Sequence, residues 1–142
     1  MEDQSRAIYD EMIRKDYCSQ WMGVELLHIR QGYCQLKMTV RQEMLNGFGL
    51  LHGGIAYAFA DSAFAFASNS YGRISVSING TMNYSKSARE GDVLIAEATE
   101  VSVTNKTATF DVALKEEQSG ELFYSFRGMV YRTTKEVLPN PE

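Results

Sequence analysis

An α+β fold, with a curved antiparallel sheet wrapped around one long central helix, is what this sequence of 142 residues predicts. Two observations predict it. From Leu51 to Tyr71 the chain is apolar on nearly every side, with alanine at 56, 58, 60, 63, 65 and 67 interleaved with Ile55, Tyr57, Phe59, Phe64 and Phe66. A helix of that composition is buried, and its many small residues let neighbouring backbone pack close against it. On both sides of this segment the chain reads as strands separated by turn residues, an order that suits an antiparallel sheet around a helix better than a parallel α/β array.

The elements follow in order. Ile8, Met12 and Ile13 sit at helical spacing among charges, so Gln4 to about Ser19 predicts one amphipathic helix, a lid or a clasp. Gly23 to Arg30 and Tyr33 to Arg41 alternate as strands, and Gln31-Gly32 between them supplies a hairpin turn. Gln42 to Gly49 is loop-like and leads into the central helix. Ile74 to Tyr84, Asp92 to Val103, Lys106 to Lys115 and Leu122 to Thr133 are strand-like, with Thr104-Asn105 and Ser119-Gly120 as turns between the last three, which makes a meander. The tail from residue 136 onward, with Pro139 and Pro141, is expected to fray.

Length and composition narrow the function classes. At 44% hydrophobic and 23% charged, the chain suits a single domain, residues 1–142, with its own core. Its formal charge, 14 minus 18 or -4, comes without a cationic block, so a nucleic-acid partner is not expected. The longest apolar stretch, Ile55 to Ala67, is interrupted by Asp61 and falls short of the roughly 20 residues that cross a bilayer, so no membrane partner is expected either. Cys18 and Cys34 have neither metal-ligand nor redox-pair spacing, and the charged start is not a signal peptide; both fit reduced thiols in a cytoplasmic protein.

Asp61 carries the most information. An ionised carboxylate in the middle of a buried helix, flanked by Phe59, Ala60, Ala63 and Phe64, costs several kcal/mol unless it has a partner. It is either a structural group bonded to a neighbouring strand or a catalytic base or nucleophile facing a cavity. Leu51-His52-Gly53-Gly54 opens the same helix, and the free amides of a first turn, helped by the helix dipole, attract an oxyanion. Those glycines would equally serve close packing on a sheet. Gly53 and Asp61 are eight residues apart, roughly 12 Å along a helix axis, too far for one reacting atom to touch both. Acting on one substrate, they must come from different subunits, as two antiparallel helices in an isologous dimer would allow.

The stretch Asn46-Gly47-Phe48-Gly49-Leu50-Leu51-His52-Gly53-Gly54, followed by Ala60-Asp61 and later by Tyr84 to Asp92, resembles the motif of PaaI-type hotdog thioesterases, over about Trp21 to Thr133. The resemblance implies the hotdog fold and hydrolysis of an acyl-CoA, without a cofactor, since the CoA ester is itself the substrate. It also implies a homodimer with shared sites that pairs further into a homotetramer. Residue by residue, Gly53 would donate its amide to the thioester carbonyl and Asp61 of the partner chain would activate water or attack directly. Asn46 would hold substrate or water, His52 would fix the loop and the thioester end, and Ser77 would orient the water. Asn46 and His52 have structural alternatives within the loop, and Ser75 competes with Ser77 for the inward position.

The substrate's other parts have weaker candidates. Lys86 and Arg89, in the loop Ser85 to Gly91, would meet CoA phosphates. Ser87 stands where the family commonly has proline, so the loop departs from the pattern there. Gly54, Phe48 and Phe64 are candidate substrate contacts; Phe48, Phe64 and Tyr57 would suit an aryl or medium-chain acyl group, and the same residues equally suit a core. Tyr9, Met12 and Tyr17 could cover the acyl end. Two other functions compete: a non-catalytic acyl-CoA binding or sensor domain, and a dehydratase or hydratase, for which a histidine at helical spacing from Asp61 is missing.

Overall fold

The structure, a computed structural model, describes residues 3–139. Its N-terminal segment forms two helices, α1 (Ser5–Ile13) and α2 (Tyr17–Met22). The single helix expected over this region is broken because Asp16 caps a second one. Its Oδ1 accepts from the Ser19 amide at 3.0 Å and its Oδ2 from the Ser19 hydroxyl at 2.6 Å, satisfying donors that a first turn leaves open. Gly23, at φ 70°, closes α2 in the left-handed conformation that favours glycine. The first strand therefore begins later than expected, as β1 (Glu25–Arg30), and pairs with β2 (Tyr33–Thr39).

After a 3-10 turn at Gln42–Met44 comes the central helix, α3 (Gly53–Asn69). The remaining strands are β3 (Arg73–Tyr84), β4 (Val93–Val103), β5 (Thr107–Glu116) and β6 (Leu122–Glu136). All pairings are antiparallel, in the order β1-β2-β4-β5-β6-β3. The hairpin and the β4-β5-β6 meander are those expected. β3 crosses to the far side of β6 and becomes an edge. The start of the supposed tail is tied down: Arg73 pairs with Glu136, and the Val137 amide donates to Gly72 O at 2.8 Å. Residues 140–142 lie outside those described.

One face of the sheet covers α3. Phe59, Ala60, Ala63, Phe66 and Ala67 of the helix meet Leu36, Met38, Leu94, Ala96, Phe110 and Leu114 in one cluster with almost no exposure. The alanines hold the helix close to the strands, and each buried phenylalanine contributes about 1.5–3 kcal/mol of apolar burial. α1 closes one end of this core, with Tyr9 edge-on to Phe66 at 4.7 Å and buried. Tyr9 is thus a core residue rather than a cover for an acyl group, and Tyr17 points to solvent.

Candidate active site

The start of α3 is pinned by its neighbours. Leu51 N–H donates to Ala88 O at 2.8 Å and His52 N–H to Met44 O at 2.8 Å, so the loop before the helix and the β3–β4 loop are stitched together at its amino end. His52 is the N-cap, and its Nδ1 accepts from the Gly54 amide at 3.2 Å. The Ile55 and Ala56 amides both donate to His52 O. This leaves Gly53 as the one first-turn amide with no acceptor among the described residues. Tyr84 packs over Gly53, its hydroxyl donating to Gly53 O at 3.4 Å, and a Cβ at Gly53 would stand 3.2 Å from the Tyr84 ring. Glycine is what lets that ring lie so close.

One stripe of α3 stays open. Gly53, Tyr57, Asp61 and Ala65 recur every four residues and are only half-buried, whereas Ala56, Phe59, Ala60, Ala63 and Phe64 are buried. Spacing of four keeps them on one helix face. Asp61 has no hydrogen bond and no ion pair among the described residues, which removes the structural reading of its carboxylate as a group bonded to a neighbouring strand. Burial, and secondarily the Asp16 carboxylate of α2, push its carboxyl above the usual carboxylate range. Tyr57 is also raised, first by burial, then by Asp61 and Tyr84. The stripe therefore holds an unpaired amide at one end and an unpartnered carboxylate two turns on, an arrangement suited to polarising a carbonyl and activating a nucleophile at separate points.

Residues 48–123 match the family model described as the thioesterase superfamily. The chain belongs to the thioesterase superfamily. The acyl-coenzyme A thioesterase PaaI of Escherichia coli is 31% identical over 85% of this chain and 86% of its own length. An esterase candidate from Archaeoglobus fulgidus is 37% identical over 93% of this chain and 85% of that protein. Among solved structures, E. coli PaaI, from the phenylacetic acid degradation operon, superposes with a TM-score of 0.91 at 28% identity, covering 94% of this chain and 96% of that one. The sheet and helix described above are thus the hotdog arrangement.

The other residues of this thioesterase that the sequence singles out divide into those near the helix start and those elsewhere. Asn46 Oδ1 accepts from the amides of Phe48 at 2.9 Å and Leu50 at 3.2 Å, so it shapes the loop, while its Nδ2 has no partner among the described residues. Phe48, between Gly47 and Gly49, is 88% exposed. Glu43, Met44, Leu45, His52, Gly54 and Ile55 line a hollow of about 330 Å3, and Phe48 is not part of its lining. Ser77 pairs with Val130, which is buried, so it faces the helix side of the sheet, yet it is exposed near the β3 edge and its hydroxyl is unengaged among the described residues. Ser75 shares that face by parity but donates its hydroxyl to Arg73 O at 3.1 Å.

Lys86 and Arg89 are in the loop stitched to Leu51, both exposed; Lys86 pairs with Glu121 at 2.9 Å. Phe64 is a correction: it is buried against Phe110 and Phe126, centroids at 6.0 and 5.3 Å, and is core rather than a substrate contact. Two residues that the sequence did not single out as site groups, Tyr84 and Asp16, stand in the site, and Tyr57, which suited an acyl contact or a core equally, joins them. Tyr57 had a legible signal, being four residues from both Gly53 and Asp61. Tyr84 and Asp16 are brought in by tertiary packing. Among the described residues no cluster of His, Cys, Asp and Glu could hold a metal ion, and no helix is long and apolar enough to cross a membrane.

Proposed function

We propose that this chain is an acyl-CoA thioesterase working through a site shared by two copies of itself. The observation that carries the reading is the half-buried, unpartnered carboxylate of Asp61 on the same stripe as the unpaired Gly53 amide, about 12 Å away. In an antiparallel pair of α3 helices the thioester carbonyl sits on the Gly53 amide of one protomer, where the helix dipole stabilises the developing oxyanion. The Asp61 carboxylate of the other takes the proton of an attacking water or attacks the carbonyl carbon itself. Both routes need Asp61 ionised. Ser77, with its unengaged hydroxyl, and the free Nδ2 of Asn46 would hold water or substrate, and His52 would fix the helix start through its cap.

The edges of the sheet favour the same assembly. β1 is six residues long, interrupted by a bulge and charged at both ends, as a protected edge should be. β3 is twice as long, and Ile74, Val76 and Ile78 on it are exposed, Ile78 by 55%. A second copy pairing along β3 would continue the sheet across the dyad and bring the open stripes together. Exposed Val76, Met129 and Tyr131 on the outer face give two such dimers a surface on which to form a tetramer. Arg89, with no ion pair among the described residues, and Lys86, whose surface pair with Glu121 is worth at most about 1 kcal/mol, would receive CoA phosphates. Two free cysteines suit a reducing cytoplasm.

Thiol release from a panel of acyl-CoAs, followed with a colorimetric reagent, tests the reading. Turnover of at least one ester is expected, with a loss on the order of 10²–10⁴-fold in Asp61→Ala. Full activity in that variant would sink it, and tight binding of esters without turnover would favour a sensor domain.

A further inference from the structure

We infer that Tyr57 sets the size of the acyl group that the shared sites accept, as the wall between them. The inference rests on the shared-site reading above and goes further, because it assigns a role to a residue that neither the oxyanion nor the nucleophile requires. Position 57 is four residues beyond Gly53 and four before Asp61. When two α3 helices run antiparallel with Gly53 of one against Asp61 of the other, position 57 falls opposite its own counterpart. Two phenol rings then meet on the dyad, each roughly 6 Å along the axis from a thioester position.

The ring is held there by a purpose-shaped surface. Gly80 and Gly128 pair directly across β3 and β6 and face the helix. A methyl at Gly80 would overlap the Tyr57 hydroxyl, and one at Gly128 would come within 2.7 Å of both Phe64 and Phe126. The paired glycines thus make a hollow in the sheet that aromatic rings fill, with Tyr57 edge-on to Phe126 at 5.4 Å. Phe64 and Phe126 are buried, whereas Tyr57 stays half-buried and its hydroxyl has no hydrogen-bond partner among the described residues. It is therefore the member of this set that a ligand on the stripe would touch.

The direction of the acyl group follows from the loops. The basic loop 85–91 is bonded to Leu51, on the amino side of Gly53, so CoA approaches from that end. The acyl group, on the other side of the carbonyl, then runs along the stripe toward Tyr57. A bulky, rigid ring there limits its length, and removing the ring would open the hollow over Gly80 and Gly128.

The test compares kcat/KM for short and long straight-chain acyl-CoAs in the wild type, Tyr57→Ala, Tyr57→Phe and Gly80→Ala, with size-exclusion and melting curves to confirm folded dimers. In Tyr57→Ala the long-to-short ratio should rise at least tenfold, within the range that a change of one or a few methylenes in a pocket produces. Tyr57→Phe, which keeps the ring, should hold the ratio within about threefold of wild type. Gly80→Ala, which pushes the hydroxyl off its seat toward the stripe, should lower the ratio, and it decides the matter if Tyr57→Ala does not fold. An unchanged ratio in folded, active Tyr57→Ala, or an equal shift in Tyr57→Phe, overturns the inference while leaving the thioesterase intact. A wild-type protein that releases thiol from no acyl-CoA brings down the reading on which it rests.

Discussion

The two faces of α3 are built from the same kinds of residue to opposite ends. On the face carrying Phe59, Ala60, Ala63 and Phe66, alanine and phenylalanine alternate to fill a core, and exposure is close to nil. On the face carrying Gly53, Tyr57, Asp61 and Ala65, the spacing is as regular but the positions stay half-open, and the Gly53 amide, the Tyr57 hydroxyl and the Asp61 carboxylate lack partners among the described residues. Stability is concentrated on the first face and chemistry on the second. An unsatisfied amide and an unpaired carboxylate on the open face are a standing cost that a protein selected for stability alone would lose.

Substitution at Asp61 should separate the two properties most widely. Asp61→Asn is expected to reduce kcat/KM on the order of 10²–10⁴-fold, yet to raise Tm at neutral pH. The folded-state pKa of Asp61 lies above its ordinary 3.8 because of burial and Asp16, so the folded protein holds that proton more tightly than the unfolded chain. Its stabilising contribution is present below pH 3.8 and is lost as pH rises through the folded value, which leaves the ionised group destabilising at neutral pH. The variant's Tm advantage should accordingly vanish in acid. A lower Tm for the variant at neutral pH would show that the carboxylate has a partner after all.

Ile78→Asp attacks the open face indirectly. A charge on the free edge of β3 should leave the fold intact but yield a monomer in size-exclusion chromatography, with activity lower by about 100-fold or more because each site has lost one of its halves. A fully active monomer would contradict the shared site. Phe59→Ala sharpens the comparison from the other side. Loss of this buried ring should destabilise by about 3–5 kcal/mol in urea unfolding while kcat of the folded fraction changes less than about tenfold.

These two faces were not equally legible in the sequence. The buried face was plain, since apolar residues at every helical angle can only mean burial, and the lone Asp61 and the glycine pair stood out against it. What the string could not show was which aromatics open toward the stripe. Phe64 and Tyr57 look alike as core or site residues; only the position of the β3 edge relative to α3 sends one inward and leaves the other half-open. The break between α1 and α2 was hidden because Asp16 reads as one more charge on an amphipathic helix until its side chain is seen bonding Ser19. Tyr84 reaches Gly53 across 31 residues of chain, a contact that depends on strand register rather than on local pattern.

Asp16 also offers the smallest and most specific test of the open face. The Ser19 hydroxyl, buried, joins Asp16 Oδ2 to Ser62 Oγ at 2.6 and 2.7 Å, so α2 is locked to α3 beside Asp61. Among the described groups, Asp16 is the one whose charge adds to burial in raising Asp61, since Tyr57, itself raised, is neutral at working pH. Asp16→Asn keeps a side-chain oxygen for the cap and removes the charge. Asp61 should then ionise more readily, and the acid limb of the kcat/KM profile should move to lower pH with little change in the plateau. A limb that stays in place would show that burial alone governs Asp61 and that α2 serves only to hold the helix.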